Sequence, residues 1–108
     1  MKLSPDSTMK YRDFIKRYPR LGEAWDTLHQ EEAQGPLDAR TQRLVKLAVA
    51  MGAFREGAVH SAVRKALKAG ITREELEQVV ALGASTMGMP SSVAAYTWIQ
   101  DVLDKAEG

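Results

Sequence analysis

Residues 43–70, RLVKLAVAMGAFREGAVHSAVRKALKAG, decide the fold class. Two alanine-rich stretches with apolar residues at helical spacing meet at Met51-Gly52-Ala53, and Gly70 ends the second stretch. The first stretch is apolar on almost every side, which predicts a buried central helix. The second has one apolar face and one charged face, as expected of a helix packed against a core. This part of the chain therefore predicts two helices in contact, with the first at the centre.

The sequence on both sides of this stretch continues the helical pattern. Before it, two segments with apolar residues at helical spacing end at Gly35-Pro36. After it, Thr72 and Glu75 form a capping box that begins a further helix, and a last helix covers about residues 91–105. No segment alternates apolar and polar residues as a half-buried strand does. We predict an all-α protein of about five to six helices in one domain over residues 1–108.

Composition excludes several classes of protein. The 108 residues are enough for one domain with an adequate core. Fifteen basic and 14 acidic residues leave a net charge of +1, which indicates no nucleic-acid or anionic-membrane partner. No apolar run approaches the roughly 18 residues of a membrane span, and no secretory signal is recognisable, so we expect a cytoplasmic protein. The absence of cysteine excludes disulfides, thiolate metal sites and thiol peroxidase chemistry.

Glu56 and His60 are the candidate catalytic residues. They lie one helical turn apart at the border of the apolar face, so their side chains can meet. A carboxylate beside an imidazole fixes its tautomer and supports its positive charge, as in a general base or a proton relay. The alternative is an ordinary ion pair on the helix surface, worth a few tenths of a kcal/mol.

Three cations near this pair are the candidate substrate-binding residues. Arg55 falls within the apolar arc of its helix, where a charged group must pair, bind an anion or point outward from the first turn. Its guanidinium group could hold a carboxylate through two parallel hydrogen bonds. Arg43 and Lys46, one turn apart on the preceding helix, could extend this positive region, or could instead form a solvated helix edge. The predicted ligand is a small carboxylate.

Other site chemistries lack a motif. The two histidines, His29 and His60, are far apart and lack paired carboxylates at ligand spacing, so the sequence predicts no metal site. No glycine-rich loop for phosphate and no G-x-S-x-G segment is present, and we expect no cofactor. Trp98 lies beside Asp101, off the apolar stripe of its helix, which leaves open whether another subunit or the N-terminal helix covers it.

The framework over about residues 35–103 resembles the carboxymuconolactone decarboxylase and alkylhydroperoxidase D-like family. Four segments carry the resemblance: Leu44–Gly52, Ala66–Gly70, Thr72–Glu75 and Gly88-Met89-Pro90. The peroxidase branch of that family has a Glu upstream of a C-x-x-C-x-x-x-H motif. When the two patterns are aligned on the terminal glycine, other residues occupy all four positions of that motif: Arg43, Arg55, Ala58 and Ala62. The resemblance therefore implies the fold without the redox chemistry.

Some cysteine-free members of the family, including the true decarboxylases, carry an R-E-G segment followed by His. Arg55-Glu56-Gly57 with His60 is similar to that segment, although His60 stands two residues further from Gly70 than the usual family His. The resemblance implies an orthogonal helical bundle that assembles as a homotrimer or homohexamer, with a site near a subunit interface.

Two functional hypotheses follow. The first is a lyase- or decarboxylase-type enzyme, or a ligand-binding protein, in which Arg55 holds a small carboxylate and His60, oriented by Glu56, moves a proton. The second is a non-catalytic oligomeric module that retains only the fold. An inherited peroxidase activity is not supported by the residues, because no thiol is present.

Overall fold

The computed structural model describes residues 5–107, with side chains for residues 10–106, and this part of the chain is entirely helical. It contains six helices: α1 Pro5–Arg17, α2 Pro19–Glu32, α3 Ala39–Gly52, α4 Glu56–Lys68, α5 Arg73–Met87 and α6 Met89–Glu107. The prediction of an all-α fold with five to six helices is confirmed. Across residues 5–107, no helix combines the length and apolarity that crossing a membrane requires.

Residues 5–36 and 37–107 form two compact units. In the first unit, α1 packs on α2 where Gly22 lies against Ile15, so closely that a Cβ atom at Gly22 would stand 2.8 Å from the Ile15 side chain. The apolar stripe of this helix pair is about half exposed: Tyr11, Phe14, Tyr18, Leu21, Trp25 and Leu28. The single domain over residues 1–108 stays a prediction.

The second unit has one hydrophobic core, built by α3, α4, α5 and α6. Its largest fully buried side chains come from all four helices: Leu47, Met51, Val59, Val63, Leu76, Ile99 and Leu103. Each such side chain contributes about 1.5–3 kcal/mol relative to its exposed state. Alanines between them let the helices approach closely, notably Ala66 on α4 and Ala95 on α6.

Helix starts and turns explain why these elements begin where they do. The Asp38 carboxylate accepts a hydrogen bond from the Thr41 amide at 2.7 Å and caps α3. The predicted capping box of α5 is present, with the Thr72 hydroxyl and the Glu75 carboxylate each accepting from the other residue's backbone amide. Gly70 and Gly88 have φ values of 84° and 87°, a conformation that favours glycine, and each precedes the start of a new helix.

The prediction that α3 is the buried central helix holds for one of its faces only. Leu47, Ala50 and Met51 are buried against α4 and α5. Val45 lies on another face and is substantially exposed, and Val49 is 63% exposed. The physical reason is geometric: neighbours on two sides cover only part of a helix, however apolar its sequence.

Candidate functional site

His60 lies on α4 with its side chain only 11% exposed, and two carboxylates flank its Nε2 atom. The Glu56 Oε2 atom, one turn earlier on α4, is 3.9 Å away. The Asp101 Oδ2 atom, on the facing helix α6, is 3.8 Å away. One potential ligand atom from each of the three residues lies within 4.8 Å of the other two. The packing of α4 on α6 therefore produces a compact His–Glu–Asp cluster.

The His60 Nε2 atom is buried and has no hydrogen-bond partner among the described residues. Its separations from the two carboxylates exceed the roughly 2.7–3.2 Å of a hydrogen bond. A buried polar atom left without a partner costs about 1–3 kcal/mol, so such atoms are rare in the absence of a function. The Glu56 and Asp101 side chains are 57% and 50% exposed, which leaves the cluster open to solvent on their side.

An aromatic pair stands next to this cluster. Phe54 is two residues before Glu56 and has a φ of 56°, a left-handed conformation that is uncommon for a bulky residue. Its ring centroid lies 4.8 Å from that of Trp98, which precedes Asp101 by nearly one helical turn on α6. Trp98 also packs against the hydrophobic core. Phe54 thus covers part of the Trp98 ring, a partner that neither sequence alternative had identified.

The predicted cationic residues occupy different places. Arg55 immediately precedes α4, with an extended backbone, and it is exposed. Arg43 and Lys46 lie on α3, the first half-buried and the second exposed. Within residues 10–106, the ion pairs of His60 are with Glu56 and Asp101. The structure thus brings the two catalytic candidates together, places Arg55 directly beside them in the chain, and leaves Arg43 and Lys46 on another helix.

A second feature is an apolar groove of about 490 Å³ between α3 and α5. Its lining is mainly aliphatic: Leu44, Val45, Ala48, Met51, Gly52, Val79, Leu82, Gly83 and Met87, with the polar residues Glu75, Gln78 and Thr86. His60, Glu56 and Arg55 are not part of this lining. The two features are therefore separate places in the fold.

The charged group of the groove is already paired. The Arg40 guanidinium donates to the Glu75 carboxylate at 2.6 Å, and the Thr72 amide donates to the same carboxylate at 2.9 Å. The Arg40 hydrogen bond and then the Thr72 amide lower the pKa of Glu75 from 4.5 to about 2. Glu75 is consequently ionised at neutral pH, and its carboxylate accepts hydrogen bonds from Arg40 and Thr72. The groove presents apolar surface without an available acid or base.

Asp101 is the site residue that the sequence did not identify. It is distant from His60 in the chain, and no local spacing connects the two residues. The nearest signal was its neighbour Trp98, which lies off the apolar stripe of α6. Only the packing of α4 on α6 shows that Asp101 lies beside His60. The same part of the fold places Trp98 against Phe54, which precedes α4.

Comparison with known proteins supports the predicted relationship. The sequence pattern of the Carboxymuconolactone decarboxylase family matches residues 19–101. The chain is 27% identical over 98 residues to the 4-carboxymuconolactone decarboxylase of Acinetobacter baylyi, covering 91% of this chain and 67% of that protein. Two uncharacterised proteins of Methanocaldococcus jannaschii are also similar. One is 35% identical over 88 residues, with 81% of this chain and 82% of that protein covered. The other is 30% identical over 92 residues, with 83% and 85% covered.

No solved structure matches the chain. The family pattern covers all of α2 to α5 and the part of α6 that carries Trp98 and Asp101. The match therefore includes both helices that form the His60 cluster. The chain belongs to the carboxymuconolactone decarboxylase family.

Proposed function

We propose that this protein is a cysteine-free, proton-transferring member of the family, of the lyase or decarboxylase type, that binds a small carboxylate. The observation that carries the proposal is the buried Nε2 atom of His60, which lacks a hydrogen-bond partner among the described residues and lies between two carboxylates. A proton-transferring group needs such an uncommitted nitrogen, held in place by its surroundings. The decarboxylase from Acinetobacter baylyi supports a carboxylate as the substrate class.

Each residue has a role in this proposal. His60 carries the proton, and the Glu56 carboxylate, 3.9 Å away and so beyond hydrogen-bond distance, would stabilise the protonated imidazole through its negative charge. Arg55 precedes Glu56 and would hold the substrate carboxylate through two parallel hydrogen bonds. Arg43 and Lys46 contribute positive charge from α3, at a greater distance from the chemistry. A cytoplasmic location is part of the same proposal.

The first experiment tests turnover and binding. Purified protein is mixed with 4-carboxymuconolactone and with simpler mono- and dicarboxylates, and loss of the carboxyl group is followed by NMR. A general base contributes about 10²–10⁴-fold to a rate, so His60→Gln should reduce turnover by that factor. His29→Gln is the matched control, because His29 is the other histidine of the chain and its Nδ1 atom is 2.8 Å from the Trp25 carbonyl on α2. If the wild type neither binds nor converts any carboxylate, the proposal is wrong.

A second candidate function is favoured by a different observation. Large apolar side chains are exposed on α3 and α5, including Val45, Val49 and Leu82, the last at 70%. Surfaces of this kind commonly lie between subunits. We propose that the chain forms a homo-oligomer, a trimer or a hexamer, and the alternative function is a non-catalytic oligomeric module. Sedimentation at micromolar concentration should show an assembly, whereas a folded monomer of 11.9 kDa would contradict it.

A further inference from the structure

We propose that Glu56, His60 and Asp101 form a three-ligand site for a first-row divalent cation, with Zn²⁺ or Mn²⁺ as the representative ions. The inference rests on the proposed function, because it concerns the same residues and adds an ion to them. With the ion bound, the Nε2 lone pair of His60 coordinates the ion, and an ion-bound water transfers the proton in its place. The inference also departs from the sequence analysis, which predicted no metal site because the two histidines are far apart and lack paired carboxylates at ligand spacing. The structure adds a second carboxylate, Asp101 from α6, to that of Glu56.

The geometry of the cluster is close to that of a bound ion. The His60 Nε2 atom stands 3.9 and 3.8 Å from one oxygen of each carboxylate. Bonds of about 2.0–2.2 Å from an ion to three ligands place those ligands about 2.8–3.6 Å apart at tetrahedral or octahedral angles. The His60 ring is buried and can serve as the fixed ligand. The two carboxylates are on exposed side chains, which can rotate inward by the small distance required.

The chemistry of the ligands selects the class of ion. An imidazole nitrogen favours zinc or iron over magnesium and calcium, which prefer oxygen ligands throughout, and the two carboxylates also suit manganese. Three protein ligands with an open, solvent-facing side correspond to catalytic zinc sites rather than to closed structural sites, which have four. In this protein the three ligands are Glu56, one helical turn before His60, His60 itself, and Asp101 from the facing helix α6.

A cation would also remove an electrostatic conflict in the proposed function. The carboxylates of Glu56 and Asp101 bring two negative charges to the cluster, which repel an anionic substrate. A divalent ion cancels these charges and leaves coordination positions on the solvent side. A substrate carboxylate could then bind the ion with Arg55 close by in the chain. The ion thereby explains how an acidic cluster could serve a carboxylate ligand.

The test uses full-length, tag-free protein treated with a chelator and then dialysed. Calorimetric titration with ZnCl₂ should show one ion per chain. Mn²⁺ should selectively broaden the NMR signals of the backbone amides around residues 56–60 and 101. Removing even an indirect ligand partner typically weakens metal affinity about 10–100-fold, so Asp101→Asn and His60→Gln should each reduce zinc affinity at least tenfold. Asp101 is half exposed, so its variant remains informative if His60→Gln does not fold. His29→Gln should bind as the wild type does.

The outcomes separate this inference from the proposed function. No saturable Zn²⁺ or Mn²⁺ binding to the wild type, or equal affinity in Asp101→Asn and the wild type, overturns the metal site. Loss of binding in His29→Gln alone also overturns it, since the ion would then bind elsewhere. If carboxylate binding persists with a chelator present and depends on His60, the proposed function stands and the ion is unnecessary. If the ion binds but no carboxylate binds in its presence or absence, the metal site stands and the proposed function falls.

Discussion

The seam between α4 and α6 and the groove between α3 and α5 differ in how their surfaces are used. The seam contains the buried residues Val59 and Ile99 and the largely buried His60, whose Nε2 atom has no hydrogen-bond partner among the described residues. The groove exposes aliphatic side chains such as Val45 and Leu82, and its carboxylate is fully engaged by Arg40 and Thr72. The seam thus buries a polar atom that makes no hydrogen bond to the described residues, whereas the groove exposes apolar side chains to solvent. Reactivity is expected from the former and association from the latter.

The largest expected effect distinguishes the two regions by stability. Ile99→Ala, at a fully buried position on α6, should lower the free energy of unfolding by about 2–5 kcal/mol, because it leaves a cavity. Leu82→Ala, on the exposed side of the groove, should change it by no more than about 0.5 kcal/mol in an isolated chain. Urea denaturation of both variants at low protein concentration measures the difference. A large loss in Leu82→Ala that grows with protein concentration would instead show that a second subunit covers the groove.

The next effect concerns the buried nitrogen of His60. Replacing His60 by Leu removes a polar atom that has no partner among the described residues, so it should stabilise the fold by about 1–3 kcal/mol while abolishing any site function. Thermal and urea denaturation of the wild type and of the His60→Leu variant provide the measurement, with His29→Leu as the control at the other histidine. Destabilisation by His60→Leu would mean that the imidazole contributes to packing or pairing in the folded protein.

A smaller effect is expected at the helix start that supports the groove. Thr72→Ala removes the hydroxyl that accepts from the Glu75 amide at 3.2 Å, and it should cost about 1 kcal/mol of stability. Thr97→Ala is a suitable comparison, because its hydroxyl donates to the Val93 carbonyl inside α6 and caps no helix. Equal effects in the two variants would show that the capping box contributes nothing special to α5.

The smallest effect is a dependence on pH at the Arg40–Glu75 pair. The folded-state pKa of Glu75 is lowered to about 2 from 4.5, chiefly by the Arg40 hydrogen bond. The stabilisation is therefore complete above the unfolded value of 4.5 and is lost as pH falls towards about 2. Glu75→Gln should be less stable than the wild type at pH 6, and the difference should shrink through this range. Denaturation at several pH values measures this difference in stability and its sign. The control is Glu74→Gln, a variant of the exposed residue next to Glu75. Because the pair is accessible to solvent, added salt should weaken the effect.

The site was only partly predictable from sequence, for an identifiable reason. Glu56 and His60 are one turn apart on one helix, so local geometry alone predicts that they meet. The partnership of His60 with Asp101 depends on how α4 and α6 pack, and periodicity does not specify which side chains face each other across two helices. The prediction of a buried central helix was wrong for the exposed face of α3. An apolar sequence shows that a helix favours burial, but it does not specify how many neighbouring helices cover it.

Local sequence features account for the helical class and for the ends of the central helices, and the lack of cysteine accounts for the absence of thiol chemistry. The helical features depend on interactions between residues that are close in the chain: apolar spacing, the Thr72–Glu75 capping box, and glycines where φ is positive. Tertiary structure alone decided that His60 is buried without a hydrogen-bond partner among the described residues, that Asp101 completes its surroundings, and that the groove lies apart from both. Those features depend on the register and crossing of packed helices, which long-range contacts set and local spacing does not.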